Sequence, residues 1–322
     1  FKQKTAYEIP KRDWSSDVCS SDLPSGPIIA DEVQAGIDVI RECGLEPVLG
    51  PCVKNLRAIA SHAASVKERA DELNWAFSHP KIGGVIGAVG GEGSAALLPY
   101  LDYDVIRASR KVFVGMSDLT AINCGILVKS GLVSVCGQTP SIRLDKGQKI
   151  QDADTESFRW TLELLKSDQP WRSRPFRNNP YLPRTVAPGT GLGPALGGNL
   201  DTFVHLIGTP YFPSLDGAVL FVEDVHKDGV QISRELLHLR LCGALDRLAG
   251  VVIGEFEDVP KKTDPKVPSI EETVIEYFSR GAPCSIGYPF SHGPITAPIP
   301  FGANCFVDAD TGEVRFDYCM SS

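Results

Sequence analysis

The stretch Val112-Phe-Val-Gly-Met-Ser-Asp-Leu-Thr120 constrains this chain more than any other. A β-branched and aromatic run stops at Gly115, and Ser117 follows two residues later. An apolar, helix-compatible segment from Leu119 to Val128 begins at once. A strand that turns sharply into a helix through Gly-x-Ser lifts a hydroxyl to the carboxyl end of a sheet, beside the N–H groups of a helix N-terminus. A serine nucleophile needs that exposure, a fixed rotamer and a nearby positive dipole. The pattern is short, and a plain N-cap at Ser117 with Asp118 in the first turn fits the same residues.

Around this unit, strand-like and helix-like segments alternate. Asp31 is placed to cap a helix carrying Val33, Ile37 and Ile40 and ending at Gly44. Glu46–Gly50 reads as a short strand, Ala58–Phe77 as one or two helices, and Ile82–Val89 as a buried strand. Gly90-Gly-Glu-Gly-Ser94 is a glycine-rich turn before an apolar helix start at Ala95–Leu101, and Leu132–Gly137 is a further strand. Such alternation predicts an α/β fold with a mainly parallel sheet flanked by helices. Asp152–Leu165 is helical in period, and Ser167–Thr190, rich in Pro and Arg and without period, marks a boundary. The second half reads as a C-terminal α/β domain with mixed strands. It has strands at Ala218–Val222, Leu248–Gly254 and Ser285–Tyr288, helices at Glu235–Cys242 and Glu271–Arg280, and a hairpin over Cys305–Phe316. The expected division is 24–150 for an N-terminal nucleophile domain, 151–190 for a linker region and 191–322 for the C-terminal domain. Residues 1–23 have neither strand nor helix period nor the apolar core of a signal peptide, and read as a non-native cloning or library remnant.

Composition narrows the partners. The 322 residues carry a net charge of -8, which argues against nucleic acid or an anionic membrane. No apolar run approaches membrane-spanning length. The nine cysteines are scattered without a CxxC pair, so a disulfide framework or zinc site is not expected and a reducing cytoplasm is. Cys124, Cys136 and Cys242 sit in apolar runs and read as small core residues.

A serine nucleophile requires a base, and the base an orienting acceptor. Of six histidines, His62, His79, His205 and His238 suit surface or core roles, and His226 follows a strand end. His292 lies in a long Pro- and Gly-rich loop directly after a strand, where catalytic side chains are commonly held. Glu223 ends the run Val-Leu-Phe-Val and needs a partner there, a structural ion pair or an imidazole. Asp224 is its rival, since strand alternation sends the two to opposite sides. Oxyanion donors are available from the backbone of Asp118 and of the Gly90-Gly91 turn. That turn matches neither phosphate-loop pattern.

Gly90–Asp104, Phe113–Thr120, Gly197-Gly-Asn-Leu200, Leu220-Phe-Val-Glu-Asp224, Leu239–Asp246, His292-Gly-Pro and Pro300-Phe-Gly302 together resemble, in order, the LD-carboxypeptidase family of serine peptidases. That family includes murein tetrapeptide carboxypeptidases and microcin C self-immunity peptidases. The resemblance implies a Ser117–His292–Glu223 triad and an oxyanion hole from the backbone of Gly91 (or Gly90) and Asp118. It also implies an active site between two domains, no metal or cofactor, and a cytoplasmic homodimer. The substrate expected is a small peptide, murein L,D-tetrapeptide first and a microcin-type peptidyl or aminoacyl nucleotide amide second; a non-catalytic ligand-binding homologue is the remaining alternative. Glu92, in the glycine turn, is a candidate to bind an ammonium such as that of diaminopimelate, or is a solvated turn residue. The apolar first strand usual in the family is missing here, with Pro24-Ser-Gly-Pro as a remnant of its turn, so an exposed sheet edge is expected.

Overall fold

The structure is a computed structural model that describes residues 21–22, 30–54, 64–142, 152–167, 169–172, 182–260, 264, 266–293 and 295–317. The chain divides into two compact units, one holding the residues up to Gln169 with Pro298–Phe301, the other Pro170–Ala297 with Gly302–Tyr318.

In the first unit, β1 (Ser21–Asp22) precedes α1 (Ala30–Glu42), α2 (Pro51–Lys54) and α3 (Val66–Ser78). Then come β2 (Gly84–Gly87), α4 (Tyr103–Ser109), β3 (Val112–Val114), α5 (Thr120–Ser130), β4 (Ser134–Cys136) and α6 (Asp152–Lys166). The strands β1 to β4 lie side by side in parallel, and Ile299–Phe301, from far down the chain, adds an antiparallel strand beside β4. β2, β3 and β4 are buried along their whole length, as strands covered on both faces must be. Ser65 opens α3 with a capping box, its hydroxyl accepting from Glu68 N–H and Glu68 accepting from Ser65 N–H.

Several sequence expectations shift here. The helix α1 begins at Ala30, so Asp31 lies in its first turn and not at its cap. The strand expected at Glu46–Gly50 is a single bridge residue, Val48. Ala95–Tyr100 forms a 3₁₀ helix, consistent with Pro99 lacking the N–H that an α-helix interior needs. The edge beside β2 is not bare: Ser21 and Asp22 pair with Ile86 and Gly87. His62 and the first part of Ala58–Phe77 lie outside the described residues.

The second unit holds β5 (Trp171–Arg172), β6 (Arg184–Ala187), β7 (Thr190–Asn199), α7 (Leu200–Val204), β8 (Val219–Val225), α8 (Gly229–Leu241), β9 (Gly250–Glu257), α9 (Ile270–Phe278) and β10 (Cys284–Ile286). Past β11, which is Ile299–Phe301, follow β12 (Asn304–Asp308) and β13 (Glu313–Phe316). Its sheet runs β5-β13-β12-β7-β8-β9-β10-β6, with a parallel centre from β7 to β10 and antiparallel flanks. Leu220, Phe221, Val252 and Ile253 of the central strands and Ile232, Leu236 and Leu239 of α8 are all buried, and Phe221 packs against Tyr288, Phe290 and Phe316. Cys124 and Cys136 are buried as expected, but Cys242 caps α8 and is exposed. Among the described residues, no helix is long and apolar enough to cross a membrane.

Candidate active site

In the first unit, β3 ends against β4, where Gly115 N–H donates to Val135 O at 2.9 Å. The Asn123 amide of α5 donates to Gly115 O at 2.9 Å, tying the helix to the strand end. Between these anchors the chain turns through Ser117 at φ +60°, a left-handed conformation costing a non-glycine residue roughly 1–2 kcal/mol. Such strain persists only where the surrounding structure holds it in place. From Lys111 to Ile126 every residue is buried except Ser117, which is partly exposed. Ser117 is not a cap. It opens the 3₁₀ turn Ser117–Leu119, the N-cap of α5 is Leu119, and no side chain caps either element.

The glycine-rich turn lies against this serine. A Cβ on Gly90 would come within 2.7 Å of Ser117 Cβ and 3.0 Å of its Oγ, so only glycine permits the approach. Gly91, at φ +126°, follows it. The turn is tied to the elbow at its far end: Ser94 N–H donates to Asp118 Oδ2 at 2.8 Å, and Ser94 Oγ to Asp118 O at 2.5 Å. Glu92 is exposed.

In the second unit, β8 continues past its apolar run through Glu223 and Asp224, and both carboxylates are buried. They go to different partners. Glu223 Oε2 accepts from His292 Nδ1 at 2.5 Å, with Glu223 1% exposed and the imidazole 20%. Asp224 Oδ2 accepts from Asp201 N–H at 2.9 Å, and its Oδ1 from Asn199 Nδ2 at 3.2 Å and Val225 N–H at 2.7 Å. Asp224 therefore fastens the start of α7 to β8, and burial raises its carboxyl above the usual range. An imidazole gripped at Nδ1 by a buried carboxylate has a fixed ring and tautomer, leaving Nε2 to handle a proton.

The seat for His292 comes from β9. The β8–β9 register slips between Val222 and Asp224, and Gly254 sits at the slip. A Cβ on Gly254 would lie 1.9 Å from Phe290 O, and the next residue, Glu255, donates its N–H to that same oxygen at 3.1 Å. Phe290 stands edge-on to Phe221 at 6.3 Å. Beyond it the loop braces itself, with Gly293 N–H on Ser291 Oγ at 2.9 Å and Thr296 Oγ1 on Ser291 O. Gly254 and Arg69, buried behind the glycine turn, had no signal in the sequence, because each acts through tertiary contacts alone.

A serine on a strained elbow and an imidazole clamped by a carboxylate are parts suited to acyl transfer, the chemistry of serine peptidases. Residues 19–137 match the LD-carboxypeptidase N-terminal domain and residues 192–307 the LD-carboxypeptidase C-terminal domain. The chain belongs to the LD-carboxypeptidase family and is a serine peptidase. The first match starts at residue 19, inside the segment whose sequence reads as foreign. A Bacillus subtilis protein named Probable murein peptide carboxypeptidase is 28% identical over 91% of this chain and 89% of its own. The microcin C7 self-immunity protein MccF of Escherichia coli is 26% identical over 92% of this chain and 90% of its own. A solved structure of MccF in complex with aspartyl sulfamoyl adenosine has the same fold, with a TM-score of 0.85 at 23% identity, covering 98% of this chain and 100% of that one.

Proposed function

We propose that this protein removes the terminal D-alanine of murein L,D-tetrapeptide, with Ser117 as nucleophile, His292 as general base and Glu223 as its orienting acid. The observation that carries this reading is the 2.5 Å bond between His292 Nδ1 and buried Glu223. In the proposed reaction Ser117 Oγ attacks the amide carbonyl carbon while His292 Nε2 takes its proton. The oxyanion is bound by the backbone N–H groups of Gly91 (or Gly90) and Asp118, each donor worth roughly 2.7–4 kcal/mol. The C–N bond then breaks, His292 returns the proton to the leaving amine, and D-alanine departs. Water, deprotonated by His292, hydrolyses the acyl-enzyme and releases the tripeptide and Ser117. Glu92 is proposed to face the substrate's ammonium, and the setting proposed is peptidoglycan recycling by a cytoplasmic homodimer. The division into a nucleophile domain over 24–150, a linker region over 151–190 and a C-terminal domain over 191–322 is part of the same proposal.

The likeness to MccF favours a second substrate, an aminoacyl or peptidyl nucleotide amide, for the same residues. Incubation with murein tetrapeptide and mass analysis separates the two. The expected result is conversion to tripeptide by the wild type and none by Ser117→Ala, with thermal unfolding little changed. Full activity in Ser117→Ala rejects the assignment.

A further inference from the structure

Arg69 is on α3 and is 1% exposed. A buried cation is costly, and an apolar side chain of similar volume commonly packs as well or better. What it touches accounts for its presence. Its Nη1 donates to Gly93 O at 3.4 Å, inside the turn that lies against Ser117. Burial lowers its pKa, and the negative charge of Asp118 opposes that fall. Asp118 in turn holds Ser94 by both its carboxylate and its carbonyl, and Ser94 is fully buried. One turn further along α3, Glu72 accepts the Cys52 N–H at 2.8 Å, so this face of the helix is committed to fixing backbone.

We infer that Arg69 is a positioning residue. Through Gly93 and Asp118 it locks the Gly90–Ser94 turn to the Ser117 elbow, and so fixes where the oxyanion-binding backbone stands relative to the nucleophile. The inference rests on the reading of Ser117 as nucleophile, but the brace itself has a readout independent of turnover. Removing the guanidinium frees the Gly93 carbonyl and takes a positive charge from the surroundings of the buried Asp118 carboxylate. Displacement of the donors follows, and misplacement by about 1 Å costs on the order of 10²-fold in rate.

The test is hydrogen exchange together with kinetics on Arg69→Met, Arg69→Lys and Ser94→Ala. In Arg69→Met, exchange over residues 90–94 should accelerate about tenfold or more, while α6 exchanges as in the wild type. On tetrapeptide its kcat should fall about 10²-fold with KM nearly unchanged, and Arg69→Lys should recover part of the loss. Ser94→Ala keeps both the Arg69 and the Asp118 charge and should loosen the same segment by a smaller factor, which serves if Arg69→Met does not fold. Unchanged exchange over 90–94 in the folded variants, or loosening spread evenly over the unit, overturns the brace. If the wild type does not cleave tetrapeptide, the proposed function falls, and the exchange pattern alone decides on Arg69.

Discussion

Ser117 spends conformational energy, and its neighbours prevent its recovery. At φ +60° the residue would relax if the chain around it could move, but Gly115 is bonded on both sides and Gly90 fills the space by the hydroxyl. Gly90→Ala should therefore push Ser117 aside. Its kcat should drop about 10²-fold, because the serine and the glycine turn cannot both keep their places. Steady-state kinetics beside a thermal melt checks this, and wild-type kcat in that variant would contradict the packing described. At this scale, Glu223 lies inside β8 and not at its end, but the places of Ser117 just past a strand and of His292 in a Pro- and Gly-rich loop were legible as sequence. The choice between Glu223 and Asp224 was not: alternation says that they part, but not which meets an imidazole. Arg69 and Gly254 left no local pattern, because Gly93 and Phe290, against which they lie, are 24 and 36 residues away.

Among elements, the strands and helices were found nearly everywhere they were expected, while their ends were not. The α8 helix begins at Gly229, well before Glu235, and its start is written in Asp228 and Gln231, which form a capping box. β8 runs on through two carboxylates, which apolar patterning alone would have excluded; hydrogen bonds in the folded state permit it. The same region carries a pH signature. Glu235, on α8, has Oε2 buried without a hydrogen-bond partner, and burial pushes its carboxyl from 4.5 up to about 8. Asp224 and Asp201 add to the rise, and Lys227, 3.5 Å away, opposes it. A raised carboxyl pKa contributes stability that is fully present below pH 4.5 and is lost as pH rises through about 8. Glu235→Gln, neutral throughout, should match the wild type near pH 4 and exceed it at pH 9. The gain should be about 1–2 kcal/mol, after allowing for solvent access and the lost Lys227 pair. Denaturant melts across that range measure it, and curves that stay parallel would show that Glu235 is not strained by its burial.

For the molecule as a whole, the proposed chemistry draws its nucleophile from one unit and its acid and base from the other. Pro298–Phe301 already belongs to the first unit although the residues before and after it belong to the second. This interleaving was hidden in the sequence, where Ile299-Pro-Phe301 looks like part of a loop and pairs only because the buried edge of β4 accepts it. Residues that act as one catalytic unit lose activity non-additively, whereas residues with separate duties multiply their losses. Tetrapeptide hydrolysis by Ser117→Ala, His292→Ala and the double variant is therefore the direct measurement. Each single variant should fall by about 10⁴-fold or more, and the double variant should fall no further. A double variant slower by the product of the two single losses, or a His292→Ala enzyme that turns over normally, would contradict a shared catalytic centre.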